Sequence, residues 1–248
     1  MKHKTFRAPK GYLKEKVIAI TGASDGIGAI AAKTFAAFGA TIILIGRSVP
    51  KLEKVYDAIE SAGGPTPAIY PICLENASEH DYLKLYDNIS EVFTGLDGLL
   101  HSAAILGERT PIENYAARSW EAVMRVNVSS QFMLTKTMLP LLRNSENASL
   151  VFTTSSVGRT GKAYWGAYAV SKFATEGLSQ VLASELEDTC NIRVNCINPG
   201  ALSTRMRALA FPAENPTKLK KPEDVMPSYL YLIGDESISI SGASLDAQ

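Results

Sequence analysis

The residues whose types and spacing most directly suggest chemistry are a tyrosine and a lysine four positions apart, Tyr168 and Lys172. This separation places both side chains on one face of a helix, one turn apart. The phenol of free tyrosine has a pKa of about 10, and a nearby ammonium group favours its deprotonated form. The pair therefore predicts a general acid/base in which Lys172 lowers the pKa of Tyr168. The competing interpretation is an amphipathic helix that carries one lysine.

A serine hydroxyl is the second candidate for the same chemistry. Ser155 ends the fifth strand candidate, so it belongs at the sheet edge where a ligand crevice forms. A hydroxyl there can hydrogen-bond a reacting carbonyl or alcohol oxygen. Ser156 is adjacent, and either serine could instead cap the next segment. Ser155 is favoured.

A glycine-rich turn, residues 21–28, follows the first strand candidate and opens the first helix. Gly22 permits a tight turn, and Gly26 and Gly28 allow the backbone to approach a neighbour closely. The amide groups at the start of the helix can bind a pyrophosphate. The turn favours a nucleotide site, although a simple corner between strand and helix has the same pattern.

The end of the second strand candidate favours NADP(H) over NAD(H). A carboxylate that binds ribose hydroxyls is expected here in NAD-selective folds, but the position is Gly46 and the next residue is Arg47. A guanidinium group can bind a 2′-phosphate through two hydrogen bonds. Asp25 opposes this interpretation because a nearby acid repels phosphate, and Arg47 could be an ordinary surface residue.

The rest of the chain supplies elements that can bring these residues together. Short apolar runs alternate with stretches of helical periodicity, which predicts parallel strands joined by helical crossovers. The strand candidates are residues 17–21, 41–45, 68–73, 96–102, 150–154, 192–197 and 239–245. The helix candidates are residues 27–38, 51–62, 79–93, 120–142, 167–187 and 222–232.

This alternation predicts an α/β fold: a single-domain, doubly wound (Rossmann) parallel sheet of about seven strands with helices on both faces. Residues 16–248 form this domain, and residues 1–15 are a basic N-terminal tail. Residues 201–222 are the least periodic stretch and are expected to form a substrate loop over the site. Arg205 and Arg207 in this loop could meet an anionic substrate or lie in solvent.

Composition excludes several other classes of protein. The formal net charge of the 248 residues is zero, which gives no electrostatic case for nucleic acid binding. The basic tail could bind polyanions or lipid headgroups, but a solvated leader is favoured. The apolar runs are too short to span a membrane. The three cysteines lack metal-ligand spacing, so no metal site is expected, and their odd number suggests a reducing, cytoplasmic location.

Taken together and in order, the motifs resemble those of the short-chain dehydrogenase/reductase family over residues 16 to about 245. The matching features are Thr-Gly-x-x-x-Gly-Ile-Gly at residues 21–28, Asn127, Ser155, Tyr168 with Lys172, and Asn-Pro-Gly at residues 198–200. The resemblance implies an oxidoreductase that transfers a hydride between NADP(H) and a small carbonyl or alcohol substrate. It also implies a homo-oligomer, a tetramer or a dimer, that pairs through helices 120–142 and 167–187.

The resemblance also assigns roles to individual residues. Tyr168 is the general acid/base, Lys172 is its partner and a ligand of the nicotinamide ribose, and Ser155 orients the reacting oxygen. Asn127 anchors a water in the proton relay; without the resemblance it is an ordinary polar helix residue. The cofactor set that the resemblance implies is Gly22, Ser24, Asp25, Ile27, Gly28, Arg47, Ala103, Tyr168, Lys172, Pro199, Gly200, Leu202 and Thr204. The last four line the nicotinamide end.

Departures from the family pattern leave a second function open. After the fourth strand the family has Asn-Asn-Ala-Gly, whereas this chain has His-Ser-Ala-Ala at residues 101–104. Ala104 could hold the adenosine ribose less closely, and Cys73 stands where the family has an adenine-contacting aspartate. His101 invites a catalytic role, but a structural one is favoured. The alternative function is a nucleotide-binding sensor or scaffold with weak or no turnover.

Overall fold

The computed structural model describes residues 2–248 and contains one parallel sheet of seven strands, in the order β3-β2-β1-β4-β5-β6-β7. Continuous apolar runs rich in Val, Ile and Leu form the central strands because helices cover both faces of the sheet. The strands are β1 Val17–Thr21, β2 Thr41–Gly46, β3 Ala68–Pro71, β4 Gly98–His101, β5 Ala148–Thr153, β6 Ile192–Asn198 and β7 Ser244–Asp246. The predicted doubly wound fold is confirmed.

Residues 2–248 contain eight α-helices, and six of them form two layers on the faces of the sheet. The helices α1, α2 and α8 pack in the apolar cluster on one face, and α3, α5 and α6 pack in the cluster on the other face. Their bounds are α1 Gly26–Ala37, α2 Val49–Ser61, α3 Glu79–Ser90, α4 Ala117–Met124, α5 Ser130–Arg143, α6 Gly166–Leu186, α7 Arg205–Ala210 and α8 Met226–Ile233. Within residues 2–248, no helix combines the length and apolar character needed to cross a membrane.

Three elements differ from the sequence prediction by more than small shifts of their bounds. The expected single helix over residues 120–142 contains a π-helical turn, Arg125–Ser129, between α4 and α5. Such turns insert one residue into the helical ladder, which hydrophobic periodicity does not reveal. The last strand covers only Ser244–Asp246 instead of residues 239–245, and the expected loop over residues 201–222 contains the short helix α7.

The basic N-terminal segment is packed on the domain, which corrects the expectation of a solvated leader. Leu13 is fully buried, and the Phe6 ring stacks edge-on against Tyr231 of α8 at a centroid distance of 5.7 Å. Lys2 forms an ion pair with Glu236, and Lys16 forms one with Asp235. The segment is therefore part of the domain, held by apolar burial at its middle and by ion pairs at its ends.

Candidate active site

The carboxyl ends of the central strands bring the predicted site residues to one edge of the sheet. Thr21 pairs with Ile45 of β2 and with His101 of β4, and His101 pairs with Phe152 of β5. The turns that follow these strands therefore begin at the same level. This is the edge at which doubly wound sheets bind ligands.

The glycine turn after β1 lies directly against the segment after β4. A Cβ on Gly22, whose φ is +68°, would stand 2.9 Å from the backbone N and Cα of Ala103. The Thr21 hydroxyl accepts hydrogen bonds of 3.1 Å from the amides of Ser102 and Ala103. The structure thus brings together Gly22 and Ala103, two residues of the predicted cofactor set.

The start of α1 has the open backbone that a phosphate group requires. Gly26 has a φ of +52°, and a Cβ placed on it would meet no atom within 4 Å. A cleft of about 430 Å³ adjoins this turn and is lined by Ser24, Gly26 and Ser203, among others. Ile27 next to it is half-buried against the apolar core. The amides of a first helical turn have no partner within the helix, so this turn fits a dinucleotide pyrophosphate.

Basic and hydroxyl side chains lie where a 2′-phosphate is expected. Ser24 stands next to the end of β2, since its Oγ would be 3.6 Å from a Cβ on Gly46. Arg47, the next residue, is exposed. Asp25 caps α1 by accepting a hydrogen bond of 2.8 Å from the Gly26 amide, and its second oxygen pairs with Lys51 at 3.2 Å. The ion pair with Lys51 offsets part of the repulsion expected from Asp25.

Tyr168 is buried near the start of α6 with Ser155 as its neighbour. Burial raises the pKa of Tyr168 to about 12, and a hydrogen bond with Ser155 opposes that rise. This direction is opposite to the expected lowering by Lys172, because desolvation of the phenol dominates in the protein alone. The Lys172 ammonium stands 5.6 Å from the centroid of the Tyr168 ring. The structure therefore brings Ser155, Tyr168 and Lys172 together.

The Lys172 ammonium is held near the Tyr168 ring by the end of β5. Its Nζ donates a hydrogen bond of 2.7 Å to the Thr153 carbonyl. Burial lowers the pKa of Lys172 to about 8, although the nearby Cys196 and Glu176 favour the charged form. A lysine with this pKa can gain or lose a proton near neutral pH.

Asn127 lies in the π-helical turn and joins the loop after β4 to α6. Its Nδ2 donates hydrogen bonds of 3.0 Å to the Ile105 carbonyl and to Ser171 Oγ, and its Oδ1 accepts one of 2.8 Å from the Ile105 amide. Ser171 directly precedes Lys172, so Asn127 is near the predicted relay. Its role in holding a water stays a prediction.

The segment after β6 carries the residues expected at the nicotinamide end. Gly200 has a φ of +73°, and the Gln248 amide group donates hydrogen bonds to the Pro199 and Ala201 carbonyls. Leu202 is buried, whereas the Thr204 hydroxyl caps α7 by accepting a hydrogen bond of 3.3 Å from Arg207 N. These residues follow one another along the same edge, and their contacts with a nicotinamide stay predictions.

His101 has the contacts of a structural residue. Its ring stacks on Phe152 at 4.7 Å, and its Nε2 lies 2.9 Å from the Thr135 hydroxyl. Burial, with the charge of Lys172, lowers the pKa of His101 to about 3, so the ring is neutral at physiological pH. Of the loop arginines, Arg205 is exposed, and Arg207 pairs with Glu214 at 2.6 Å.

Of the residues that enclose Tyr168, sequence reasoning expected Met206 in the substrate loop but missed Trp165, Leu106 and Val157. Trp165 packs against the Tyr168 ring at a centroid distance of 5.6 Å, and Leu106, Val157 and Met206 belong to the same apolar cluster. Trp165 and Val157 flank motifs that the sequence shows, but the contribution of Leu106 depends on the path of the loop after β4. The wall next to the phenol is therefore apolar.

The fold and the site together define a class: a doubly wound, dinucleotide-binding α/β protein with a serine, a tyrosine and a lysine at the carboxyl edge of its sheet. The family model described as short chain dehydrogenase matches residues 16–215. The chain belongs to this family of oxidoreductases, as its motifs predict.

Three similar proteins match this chain over nearly its full length and nearly their own. An uncharacterised oxidoreductase, YciK, from Escherichia coli (strain K12) is 48% identical, with 98% of this chain and 96% of that protein covered. The structure of a short chain dehydrogenase from Pseudomonas syringae has a TM-score of 0.97 and 53% identity, and covers 98% of both chains. A short chain dehydrogenase from Escherichia coli CFT073, complexed with NADPH, has a TM-score of 0.94 and 50% identity, with 97% of this chain and 100% of that chain covered.

Proposed function

We propose that this protein is an NADP(H)-dependent oxidoreductase that interconverts a carbonyl and an alcohol, with Tyr168 as its general acid/base. The observation that carries the proposal is the meeting of Tyr168, Ser155 and Lys172 at the end of β5, on the same edge of the sheet as the glycine turn after β1. A nicotinamide bound along this edge would supply or accept the hydride. Binding, orientation and proton transfer belong to the side chains.

The protonation states suit reduction of a carbonyl. With its pKa at about 12, Tyr168 keeps its proton at neutral pH and can donate it to an oxygen that becomes an alkoxide. Ser155 can hydrogen-bond the same oxygen and fix its position. Lys172, with its pKa near 8, can replace the proton that Tyr168 gives up. In the direction of alcohol oxidation the same three groups act in reverse.

The residues around this centre fit a dinucleotide. Gly22, Gly26 and Gly28 would admit the pyrophosphate, with Ser24, Asp25 and Ile27 around it and Ala103 at the adenosine ribose. Lys172 would hold the nicotinamide ribose, and Pro199, Gly200, Leu202 and Thr204 would border the ring. A relative of 50% identity was crystallised with NADPH, which supports the phosphorylated cofactor for this chain as well.

The choice of cofactor is tested at Arg47. Arg47→Ala should weaken NADPH binding by about tenfold or more, because a charge-assisted pair with the 2′-phosphate is lost, and leave NADH binding unchanged. Fluorescence titrations with both nucleotides measure the ratio, and Arg143→Ala, which removes an exposed arginine at the end of α5, is the matched control. An unchanged ratio of the two affinities would mean that Arg47 does not contact the phosphate.

The reaction itself is tested by NADPH oxidation with a panel of aliphatic and aromatic aldehydes and ketones. The apolar wall of Trp165, Leu106 and Met206 favours compounds with an apolar group next to the carbonyl. Oxidation that depends on both the carbonyl compound and the enzyme supports the proposal. NADPH binding without oxidation by any compound would instead support a nucleotide sensor, which the departures at Cys73 and Ala104 leave open.

Exposed apolar side chains on α5 and α6 support assembly into a homo-oligomer, which we propose is a tetramer. Phe132, Val170, Phe173 and Val181 are each between 42% and 54% exposed. Light scattering should give four times the chain mass of 26.7 kDa at micromolar concentration. Phe173→Glu should lower that mass by placing a charge in an apolar interface, whereas Leu83→Glu on α3 should not. A monomeric mass of the unmodified protein would contradict the proposal.

A further inference from the structure

One arginine contacts both the segment before α6 and the substrate loop. Arg109 lies in the loop after β4, and its guanidinium stands 4.1 Å from the centroid of the Trp165 ring and 5.2 Å from that of Phe211. The centroids of these two rings are 5.9 Å apart, and the guanidinium lies against both rings. Trp165 directly precedes α6, and Phe211 belongs to the substrate loop, residues 201–222.

Two hydrogen bonds strengthen this contact. Arg109 Nε donates to the Tyr164 carbonyl at 3.0 Å, and its Nη1 donates to the Ala210 carbonyl at 3.2 Å. Each bond goes to the residue immediately before one of the two stacked rings. A hydrogen bond from a charged donor is stronger than one from a neutral donor, and a cation–π contact adds further attraction. Here both kinds of contact act on the same pair of segments.

The Tyr164 side of the contact is under backbone strain. Tyr164 has a φ of +66°, a conformation that costs a bulky residue energy unless its surroundings hold it. Its side chain is 56% exposed, so the ring itself contributes little to holding it. The hydrogen bond from Arg109 to the Tyr164 carbonyl supplies that restraint and fixes the start of Trp165, whose ring packs on Tyr168.

The loop side of the contact is held by a second arginine. Arg207 stacks on Phe211 at 3.8 Å from the ring centroid, and both its Nε and its Nη2 bind the Glu214 carboxylate. Phe211 therefore lies next to two guanidinium groups, one from its own loop and one from the loop after β4. Of these two arginines, Arg109 is the one that joins the substrate loop to the segment before α6.

We infer that Arg109 is a positioning residue that holds the substrate loop closed against the segment before α6 and fixes Trp165 on Tyr168. This inference rests on the proposed function in placing substrate beside Tyr168, but the contact itself exists without turnover. Substrate entry then requires the Arg109 contacts to Ala210 and Phe211 to open, and their closure orients the phenol. The guanidinium acts through Trp165 and needs no contact with the reacting atoms.

Arg109→Gln tests the inference with two readouts that need no substrate. The protein has two tryptophans, so a Trp120→Phe background leaves Trp165 as the only reporter. We expect Arg109→Gln to shift Trp165 emission to longer wavelength and make it easier to quench with acrylamide. Amides of residues 205–214 should exchange hydrogen for deuterium at least about tenfold faster, because the two hydrogen bonds and the stacking are lost. Arg143→Gln, a surface arginine at the end of α5, should change neither.

A kinetic measurement distinguishes a residue that positions Tyr168 from one that only stabilises the fold. For any carbonyl compound that the unmodified enzyme reduces, Arg109→Gln should lower kcat by about tenfold or more and change NADPH affinity little, because a misplaced Tyr168 affects the reacting geometry. Arg109→Lys, which keeps the charge but not the planar fork, should recover only part of the loss. If no carbonyl compound is reduced by the unmodified enzyme, the proposed function fails while fluorescence and exchange still decide the inference.

The inference would be overturned if Arg109→Gln changed neither the Trp165 emission nor the rate of amide hydrogen exchange in residues 205–214. Should that variant not fold, Phe211→Leu removes the loop's half of the stacked contact and leaves the Arg109 side chain in place. This second variant is expected to speed exchange of residues 205–214 by a smaller factor and to shift Trp165 emission in the same direction. Exchange and emission equal to those of the unmodified protein would overturn the inference in this case too.

Discussion

Tyr168→Phe should abolish measurable carbonyl reduction, with kcat falling by about 10³-fold, while NADPH binds with nearly unchanged affinity. The substitution removes one hydroxyl oxygen and its proton and keeps the buried ring. The ring remains packed against Trp165 at the start of α6, so neither the apolar wall nor the position of Lys172 should change. What is lost is the proton donor that the reacting oxygen requires.

The measurement is NADPH oxidation with saturating carbonyl compound, together with a fluorescence titration of NADPH. Tyr86→Phe on α3 is the matched control, because it removes a phenol hydroxyl from a helix that carries none of the predicted site residues and should leave both quantities unchanged. Ser155→Ala should lower kcat as well, but less, since it removes a hydrogen bond and not the proton. Turnover by Tyr168→Phe within tenfold of the unmodified enzyme would show that another group donates the proton.

The layers of the fold could be predicted because each strand and helix follows from a local pattern of apolar residues in the sequence. The runs at residues 17–21 and 41–45 contain buried, β-branched residues, and they form β1 and β2 within one residue of the predicted bounds. Parallel strands with helical crossovers then admit few arrangements. Tyr168 and Lys172 share a helix, so their proximity also follows from local spacing.

Long-range contacts could not be predicted in the same way. The N-terminal basic residues suggest a solvated tail, but Phe6 packs on Tyr231 of α8, far along the chain, and Leu13 is buried in the apolar cluster that contains α1 and α8. The π-helical turn around Asn127 lies between α4 and α5, and hydrophobic periodicity is nearly the same with or without such a turn. The Arg109 contact joins three loops whose paths are set by the whole sheet.

Electrostatics was the hardest part of the site to predict. The sequence shows Lys172 one turn from Tyr168, which suggests that the phenol has a lowered pKa. Both groups are buried, however, and burial disfavours the charged form of each, so the pKa of Tyr168 rises and that of Lys172 falls. The sign depends on solvent exposure, which the spacing of two residues does not determine. The apolar neighbours Leu106 and Trp165 contribute to that burial.

Gly28→Ala is expected to destabilise the protein and prevent NADPH binding. A Cβ at this position would lie 2.4 Å from the Gly22 carbonyl oxygen and 2.8 Å from its carbonyl carbon, and neither backbone atom can move aside without displacing the turn. The start of α1 must then separate from β1. A displacement of this kind costs about 3–5 kcal/mol, which corresponds to a loss of roughly 10 °C in Tm for a chain of this length.

Substitutions at two further glycines distinguish the effect of the backbone clash on stability from the effect of an added side chain on NADPH binding. Gly161→Ala is the control, because a Cβ there meets nothing within 4 Å and its φ is not positive, so Tm and NADPH affinity should stay unchanged. Gly26→Ala also has open space around it, but its Cβ would project where the pyrophosphate is proposed to bind, and its φ of +52° adds modest strain. We expect it to keep the fold and lose NADPH affinity, measured by thermal melts with and without the nucleotide. A Gly28→Ala protein with the Tm and NADPH affinity of the unmodified protein would contradict this prediction. The turn after β1 would then be looser than its contacts indicate, and the cofactor site would have to lie elsewhere on the edge of the sheet.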